Sequence, residues 1–268
     1  MTGTPTSYKS RVQQAFSRQA GTYDLHAKFQ AQVAEQSAQL LSSLQSRIAI
    51  ADGDVLEIGC GTGLFTQKLV KLFPDRNITV SDISAEMLNT CKMRLSTQKS
   101  GAERIKFLQM DAEEIAEDPK YAVIASSFAI QWFFEPIIGI SKLMSALSPG
   151  GLFIFSVPGD ESCIEWREAC DRAKVPFTRN PMPSLEQLKN FASRMGLEFR
   201  LRDNILAETH SDAASMMRSL KEIGANTQRN DMQLSSSQLR NLLRELDEQG
   251  KPLRASYQVI EGYFRKPY

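Results

Sequence analysis

The fold of this chain is decided by one glycine-rich stretch, Glu57-Ile58-Gly59-Cys60-Gly61-Thr62-Gly63. The stretch ends an apolar run, 54–58, that is typical of a buried strand, and it precedes an amphipathic segment with Phe65 and Leu69 on one helical face. Glycines at such a junction let the backbone turn sharply and bring the N–H groups of a helix start close to a ligand. The stretch therefore predicts a ligand-binding turn between a strand and a helix, with a tight turn that binds nothing as the alternative.

The glycine spacing differs from that of a dinucleotide-binding loop. The pattern G-x-G-x-x-G requires a glycine where this chain has Leu64, and the third glycine, Gly63, comes one residue early.

Outward from this loop, short apolar runs alternate with amphipathic stretches as far as Pro158. The runs predict strands at 54–58, 78–81, 105–109, 121–126 and 152–157, with Pro149-Gly150-Gly151 as a turn before the last. Helices are predicted over 8–48, near 65–73, around 87–95 and over 136–147. Apolar strands that alternate with helices predict an α/β fold whose parallel sheet is covered on both faces.

The pattern changes after Pro158. It predicts helices at 161–174, 184–195, 211–223 and 235–249, and strands near 197–208 and 255–265. We find no internal repeat and no linker rich in glycine or proline that would separate a second domain.

Acidic residues mark the ends of three consecutive predicted strands. Glu57 lies in the first, Asp82 ends the second and Asp111 follows the third. Because ligands of open α/β sheets bind at the carboxyl ends of the strands, we expect these side chains to line one site. Asp82 is placed to bind ribose hydroxyls, and the alternative is a cap for the helix that begins near Ser84.

Composition excludes several other classes of protein. The chain has 268 residues, 42% of them hydrophobic, and a net charge of +1, without the basic excess of a dedicated nucleic-acid binder. Its four cysteines form no Cys-x-x-Cys pair and it has two histidines, so a zinc site is not expected. The stretch 122–134 is too short to span a membrane, and 1–11 lacks the apolar core of a signal peptide. A cytoplasmic protein with free thiols is therefore expected.

These motifs together resemble the class I S-adenosylmethionine-dependent methyltransferases over about residues 50–158. The glycine loop is similar to their first motif, and Asp82 is similar to the acid that binds ribose. Asp111-Ala112 is similar to the pair that contacts adenine, and 148–151 is similar to the turn before strand five. The resemblance implies S-adenosyl-L-methionine as cofactor and a Rossmann-like, mainly parallel sheet of seven strands whose last strand in sequence is antiparallel. The cofactor-binding residues it implies are Glu57, Gly59, Cys60, Gly61, Gly63, Asp82, Ile83, Met87, Asp111, Ala112 and Ser127.

Three further motifs resemble the malonyl-acyl-carrier-protein O-methyltransferases of biotin biosynthesis, and they extend the resemblance over nearly the whole chain. They are 12–18 with Tyr23-Asp24, 127–132, and 217–225. In the second motif, Ser127 and Phe128 replace the family's Asn and Leu. The resemblance is weakest at 159–180, the segment that lines the substrate side in the family.

This resemblance implies methyl transfer to the free carboxylate of a malonyl thioester, with acyl carrier protein as the partner. A carboxylate is already ionised at neutral pH, so the reaction needs positioning and limited hydration rather than a general base. An arginine suits the recognition of such a group, because its planar fork matches a carboxylate. The catalytic residues we expect are Tyr23, Gln131 and Arg218, and the expected substrate-binding residues are Arg18, Trp132, Arg218 and Lys221.

Alternatives remain for these residues and for the function. The alternative for Arg18, Arg218 and Lys221 is that each is a solvated charge on a helix face. The alternative for Tyr23 is an aromatic side chain that packs against an N-terminal helix, and Trp132 could be part of an apolar wall. The chain could instead methylate another small-molecule acid or a quinone precursor, or bind S-adenosylmethionine without catalysis.

The same resemblance predicts the domain organisation. An N-terminal helical segment, 1–48, is expected to form a lid together with helices of the C-terminal part. The methyltransferase domain is expected to span 49–268, with substrate-side helical insertions near 159–195 and 211–250.

Overall fold

A sheet of seven strands organises the chain, for which the computed structural model describes residues 4–96, 102–118, 120–229, 233–250 and 252–268. The first three residues of the predicted segment 1–48 lie outside these ranges, as do four short stretches of 49–268. The strands are β1 Asp54–Ile58, β2 Ile78–Asp82, β3 Ile105–Gln109, β4 Tyr121–Ser127, β5 Leu147–Pro158, β6 Glu198–His210 and β7 Leu253–Arg265.

The strand order is β3-β2-β1-β4-β5-β7-β6. The first five strands pair in parallel, and β7 lies antiparallel between β5 and β6. This arrangement confirms the predicted mainly parallel sheet of seven strands with an antiparallel last strand. Because β1 has β2 on one side and β4 on the other, the strand order reverses at β1, and the ligand crevice of such folds opens at the carboxyl ends of these strands.

Ten helices accompany the sheet within the described ranges. They are α1 Pro5–Gln19, α2 Tyr23–His26, α3 Lys28–Gln45, α4 Thr66–Leu72, α5 Ala85–Ser96, α6 Pro136–Ser145, α7 Ile164–Ala173, α8 Leu185–Arg194, α9 Ala213–Glu222 and α10 Ser236–Asp247. The helical stretch predicted over 8–48 is thus three helices. The chain leaves the helix at Gly21-Thr22 and again at Ala27, whose backbone angles are not helical.

The predicted turn at Pro149-Gly150-Gly151 is wrong, because these residues lie inside β5. The pairing of β5 with β4 shifts there, from Tyr121 opposite Leu147 to Val123 opposite Leu152. The irregularity uses the left-handed backbone of Gly150, at φ +71°. The N–H of Gly150 donates to the Lys266 carbonyl at 3.1 Å, which fastens the bulge to the C-terminal segment.

Alternate residues of the strands build a core on each face of the sheet. Val55 packs with α3, α4 and α5, whereas Leu56 and Ile58 pack on the opposite face with α6 and α8. A third cluster lies past the end of β5, where Pro158 pairs with Val259 and the paired strands β6 and β7 continue beyond it. There β7 packs with residues of α3, α7, α9 and α10. This cluster places α9 and α10 at the carboxyl edge of the sheet.

Candidate active site

The glycine loop between β1 and α4 uses its three glycines for different reasons. Gly59, Gly61 and Gly63 all have left-handed backbones, at φ +63°, +53° and +90°. A Cβ at Gly59 would lie 2.3 Å from the Cβ of Ala129, and one at Gly63 would lie 2.7 Å from the Sγ of Cys91. A Cβ at Gly61 would meet nothing within 4 Å. Packing thus demands the outer two glycines, while the middle one faces open space that a ligand can fill.

Asp82, at the end of β2, points its carboxylate at this loop. Gly61 N–H donates to Oδ2 at 2.9 Å, and Ser84 N–H donates to Oδ1 at 2.8 Å. Burial raises the pKa of Asp82 to about 6, against the lowering effect of these backbone hydrogen bonds. The hydroxyl of Ser84 accepts from Met87 N–H at 3.1 Å and caps α5. The cap is therefore Ser84, which leaves the carboxylate of Asp82 for the loop and the ligand.

Glu57 lies beneath the loop and is fully buried. Its Oε2 has no hydrogen-bond partner among the described residues, and burial raises the pKa of the Glu57 carboxyl well above its usual range. A buried polar atom without a partner is a candidate for contact with a bound molecule.

A small cavity of about 80 Å³ lies between the glycine loop and the ends of β2 and β3. Seven of the predicted cofactor-binding residues line it: Gly59, Gly61, Asp82, Ile83, Met87, Asp111 and Ala112. Glu57, Cys60, Gly63 and Ser127 are not part of its lining. The Sγ of Cys60 turns toward the Gly61 carbonyl, and the hydroxyl of Ser127 accepts from Ser156 at 3.3 Å.

Helix α1, which belongs to the segment 1–48 expected to form a lid, forms the roof of this cavity. Lys9, Val12 and Phe16 line it from above. The Nζ of Lys9 lies 2.9 Å from Asp111 Oδ1 and 2.5 Å from Glu113 Oε2. This ion triplet holds α1 against Asp111, the residue expected to contact adenine.

Helix α2 joins the glycine loop to α9. The hydroxyl of Thr62 donates to Asp24 at 2.6 Å, and Arg94 forms an ion pair with the same carboxylate. At the other end of α2, the Nδ1 of His26 lies 3.0 Å from Glu222. Tyr23 is the first residue of α2, directly before Asp24, and its pKa is raised by burial and by the nearby charge of Asp82.

A larger cavity of about 380 Å³ opens past the end of β4. Phe16, Phe128 and Trp132 line both cavities, so these rings form a shared wall. Phe128 holds an unusual left-handed backbone, at φ +53°, directly after β4. Such strained positions concentrate at functional sites.

The predicted residues Tyr23, Gln131 and Trp132 all line the larger cavity. The side-chain amide of Gln131 donates to the Phe128 carbonyl at 2.7 Å, while its Oε1 is buried without a hydrogen-bond partner in the described part of the chain. The same holds for Nε1 of Trp166 in the cavity wall. Unpaired polar atoms in a lining of mixed apolar, aromatic and polar residues indicate a ligand that carries both apolar and polar groups.

The predicted cations do not line this cavity. Met217, Leu220 and Ile223 present the inner face of α9 and its end to it, and Arg218 and Lys221 are exposed on the outside. Arg18 is likewise exposed, beside a surface groove rather than in the cavity. In this structure Arg218, which the sequence predicts as a catalytic and substrate-binding residue, does not line the cavity, because its neighbours on α9 occupy the inward face.

Fold and site together define a class I methyltransferase. Residues 55–151 match a family model described as a methyltransferase domain. The fold is similar to that of the YcgJ protein from Bacillus subtilis, with a TM-score of 0.62 and 17% identity over 87% of this chain and 99% of that one. It is also similar to a phosphoethanolamine N-methyltransferase from Haemonchus contortus solved with S-adenosyl-L-methionine, with a TM-score of 0.53 and 18% identity over 87% of this chain and 53% of that one.

Sequence relatives are more specific. A malonyl-[acyl-carrier protein] O-methyltransferase of Magnetococcus marinus is 30% identical over 80% of this chain and 78% of its own length. A relative of that name from Paenibacillus is also 30% identical, over 81% of this chain and 82% of its own length. The biotin biosynthesis bifunctional protein BioCD of Bordetella avium is 32% identical over 98% of this chain, which spans about half, 54%, of that protein. The chain belongs to the malonyl-[acyl-carrier protein] O-methyltransferase family.

Among the described residues, no helix is both long and apolar enough to cross a membrane.

Proposed function

We propose that this chain transfers the methyl group of S-adenosylmethionine to the free carboxylate of a malonyl thioester, giving the methyl ester used in biotin synthesis. The observation that carries the proposal is the shared wall of Phe16, Phe128 and Trp132 between the two cavities. Because these rings border both cavities, the cavities are adjacent, and a donor in one and an acceptor in the other are placed side by side for a group transfer.

S-adenosylmethionine fits the residues of the smaller cavity. Asp82 offers a carboxylate to ribose hydroxyls, Asp111 and Ala112 lie where adenine is expected, and Gly61 leaves room for close backbone approach. The cavity is small while α1 lies across it, and movement of the Lys9 roof would enlarge it. The cofactor supplies an electrophilic methyl group on a sulfonium.

The chain's own residues serve the acceptor. A carboxylate is nucleophilic once it is ionised and stripped of water, and no side chain has to remove a proton. Aromatic side chains of the larger cavity exclude water, and the Tyr23 hydroxyl can donate to the carboxylate beside the shared wall. The unpaired Gln131 Oε1 can only accept, so it suits an N–H group elsewhere on the acceptor. A tyrosine is protonated at neutral pH, and burial raises the pKa of Tyr23 further, so its hydroxyl can act as a hydrogen-bond donor.

Acyl carrier protein is the proposed partner, in the cytoplasm. Three exposed cations lie on two helices: Arg18 on α1, and Arg218 and Lys221 on α9. The two helices are neighbours, since a Cβ at Gly224, just past the end of α9, would lie 3.3 Å from Ala15 of α1. We assign these cations to docking of the acidic carrier protein rather than to the carboxylate itself.

The proposal is tested by supplying labelled S-adenosylmethionine with three acceptors: malonyl-acyl carrier protein, free malonate, and none. Label transfer to the malonyl thioester alone supports the proposal. Equal transfer to the free acid would indicate a general small-acid methyltransferase, and no transfer in the presence of measured cofactor binding would indicate a binding protein.

A further inference from the structure

Arg179 is the one charged side chain among the described residues that line the larger cavity. It lies between α7 and α8, in the segment 159–180 where the resemblance to the family is weakest. All other lining residues are apolar, aromatic or neutral polar. A single charge in such a lining fixes the charge of the ligand group that the cavity accepts.

The backbone on both sides of Arg179 is fastened. Thr178, on one side, is buried and accepts from the Gln228 amide at 3.0 Å. Asn180, on the other, donates to the Thr227 carbonyl at 2.9 Å and accepts from Arg229 N–H at 2.7 Å. These bonds tie the segment to the stretch that follows α9. Arg179 is therefore held by its neighbours and does not depend on a partner of its own for its position.

The guanidinium of Arg179 lacks a carboxylate within ion-pair distance in the described part of the chain. Its Nη1 donates to the Sγ of Cys163, and a thiol is a weak acceptor. The carboxylates of Glu165 and Glu208 lie near the same thiol, but neither forms an ion pair with Arg179. The guanidinium also lies near the ring of Tyr257 in the cavity wall. A half-buried guanidinium that forms no ion pair keeps donors free for an anionic ligand.

We infer that Arg179 binds the free carboxylate of the acceptor and selects malonyl thioesters over uncharged acyl thioesters. This inference rests on the proposed function and names the residue that gives it specificity. The carboxylate would lie between Arg179 and the shared wall of Phe16, Phe128 and Trp132, with one oxygen on the guanidinium and the other toward the methyl donor. The planar fork of arginine can hold the carboxylate in one orientation, which a lysine point charge cannot.

The experiment measures binding and turnover separately. Binding of malonyl and acetyl thioesters of acyl carrier protein to the S-adenosylhomocysteine complex is compared for the wild type, Arg179→Ala and Arg179→Lys. Arg194→Ala serves as the matched control, because Arg194 is exposed on α8 and lines neither cavity. We expect Arg179→Ala to lose the preference for malonyl over acetyl and about 30-fold or more in kcat/KM, the order for one partner of a desolvated charge pair. Arg179→Lys should recover only part of this.

Chemical rescue by added guanidinium ion distinguishes binding of the carboxylate from a merely structural role of Arg179, which the added ion would not replace. It should restore part of the turnover of Arg179→Ala and leave Arg194→Ala unchanged. The inference is overturned if Arg179→Ala keeps its malonyl preference, or if it loses S-adenosylhomocysteine binding in parallel. It is also overturned if Arg218→Ala, and not Arg179→Ala, loses the malonyl preference. If the wild type itself methylates no malonyl thioester, the proposed function fails, an outcome distinct from these.

Discussion

Replacing Asp82 separates its role in cofactor binding from its role in the glycine loop. The carboxylate is 7% exposed and accepts one N–H from Gly61 and one from Ser84. Asp82→Ala removes the proposed acceptor of the ribose hydroxyls. We expect the affinity for S-adenosylhomocysteine to fall by about 2–3 kcal/mol, roughly 30- to 150-fold, as for the loss of a charge-assisted hydrogen bond.

The pH dependence of binding follows from the pKa of Asp82, which burial raises to about 6. The ionised form accepts the ribose hydroxyls, so affinity should be highest above this pKa and fall as the pH drops through it. Because about a tenth of the carboxylates remain ionised one unit below the pKa, affinity at pH 5 should be about tenfold weaker than at pH 7. The raised pKa also means that ionisation of Asp82 costs folding free energy, so that stability declines as the pH rises from its ordinary pKa of 3.8 to about 6 and is constant above that.

Calorimetric titration with S-adenosylhomocysteine between pH 5 and pH 8 measures both effects, for the wild type, Asp82→Ala and Asp82→Asn. Neither variant should show the loss of affinity toward pH 5 that the wild type shows. Asp54→Asn is the control, because Asp54 is a carboxyl at the opposite end of β1 that lines neither cavity and should leave the pH dependence in place. Unchanged affinity in Asp82→Ala, or the same pH dependence in all variants, would refute the reasoning.

Further predictions concern the loop, its roof and its link to α2. Gly61→Ala should lower the free energy of unfolding by about 1 kcal/mol, because residue 61 has a left-handed backbone. It should also weaken S-adenosylhomocysteine binding about tenfold, because the new Cβ enters the space of the ligand. Gly59→Ala should cost more, about 2–3 kcal/mol in chemical denaturation, because its Cβ overlaps Ala129. Lys9→Met should lower the free energy of unfolding by about 1–2 kcal/mol and speed proteolysis of α1, since two half-buried carboxylates lose their shared cation. Asp24→Ala should weaken cofactor binding a few-fold and lower the melting temperature, because α2 loses its bond to the glycine loop.

Specific outcomes contradict these expectations. Equal destabilisation by the two glycine variants would mean that Gly61 is packed as Gly59 is. A Lys9→Met variant whose α1 resists proteolysis as the wild type does would mean that the ion triplet does not hold the roof. Unchanged binding in Asp24→Ala would separate α2 from the cofactor site.

The sheet and the cofactor loop were predictable because local signals specify them. The apolar run at 54–58, the glycines that follow and the acid at Asp82 each lie within a few residues of the element they define. Their convergence then follows from parallel pairing, which brings the carboxyl ends of strands to one edge. The same local reasoning gave the wrong turn before β5, since a Pro-Gly-Gly sequence fits a bulge as well as a turn.

The roof and the acceptor cavity were not predictable from local signals. Lys9 meets Asp111 across a separation of 102 residues, and nothing in the spacing of either residue indicates the other. The spacing of Met217 and Leu220 indicates which face of α9 points inward. The expected role of Arg218 in binding the substrate came from its place in a motif that resembles the family, and not from its place on this face. Arg179 lies in a segment without such a motif, and only its place in the fold brings it into the cavity.

The chemical form of the transferred methyl group tests the central claim most directly. After reaction of the chain with methyl-labelled S-adenosylmethionine and malonyl-acyl carrier protein, the modified carrier protein is treated with mild base and the volatile product is measured. If the product is a carboxyl methyl ester, as we expect, base releases the label as methanol in an amount equal to the number of malonyl groups modified. Label that stays on the carrier protein after base treatment, or that never reaches it while the cofactor binds, would contradict the account.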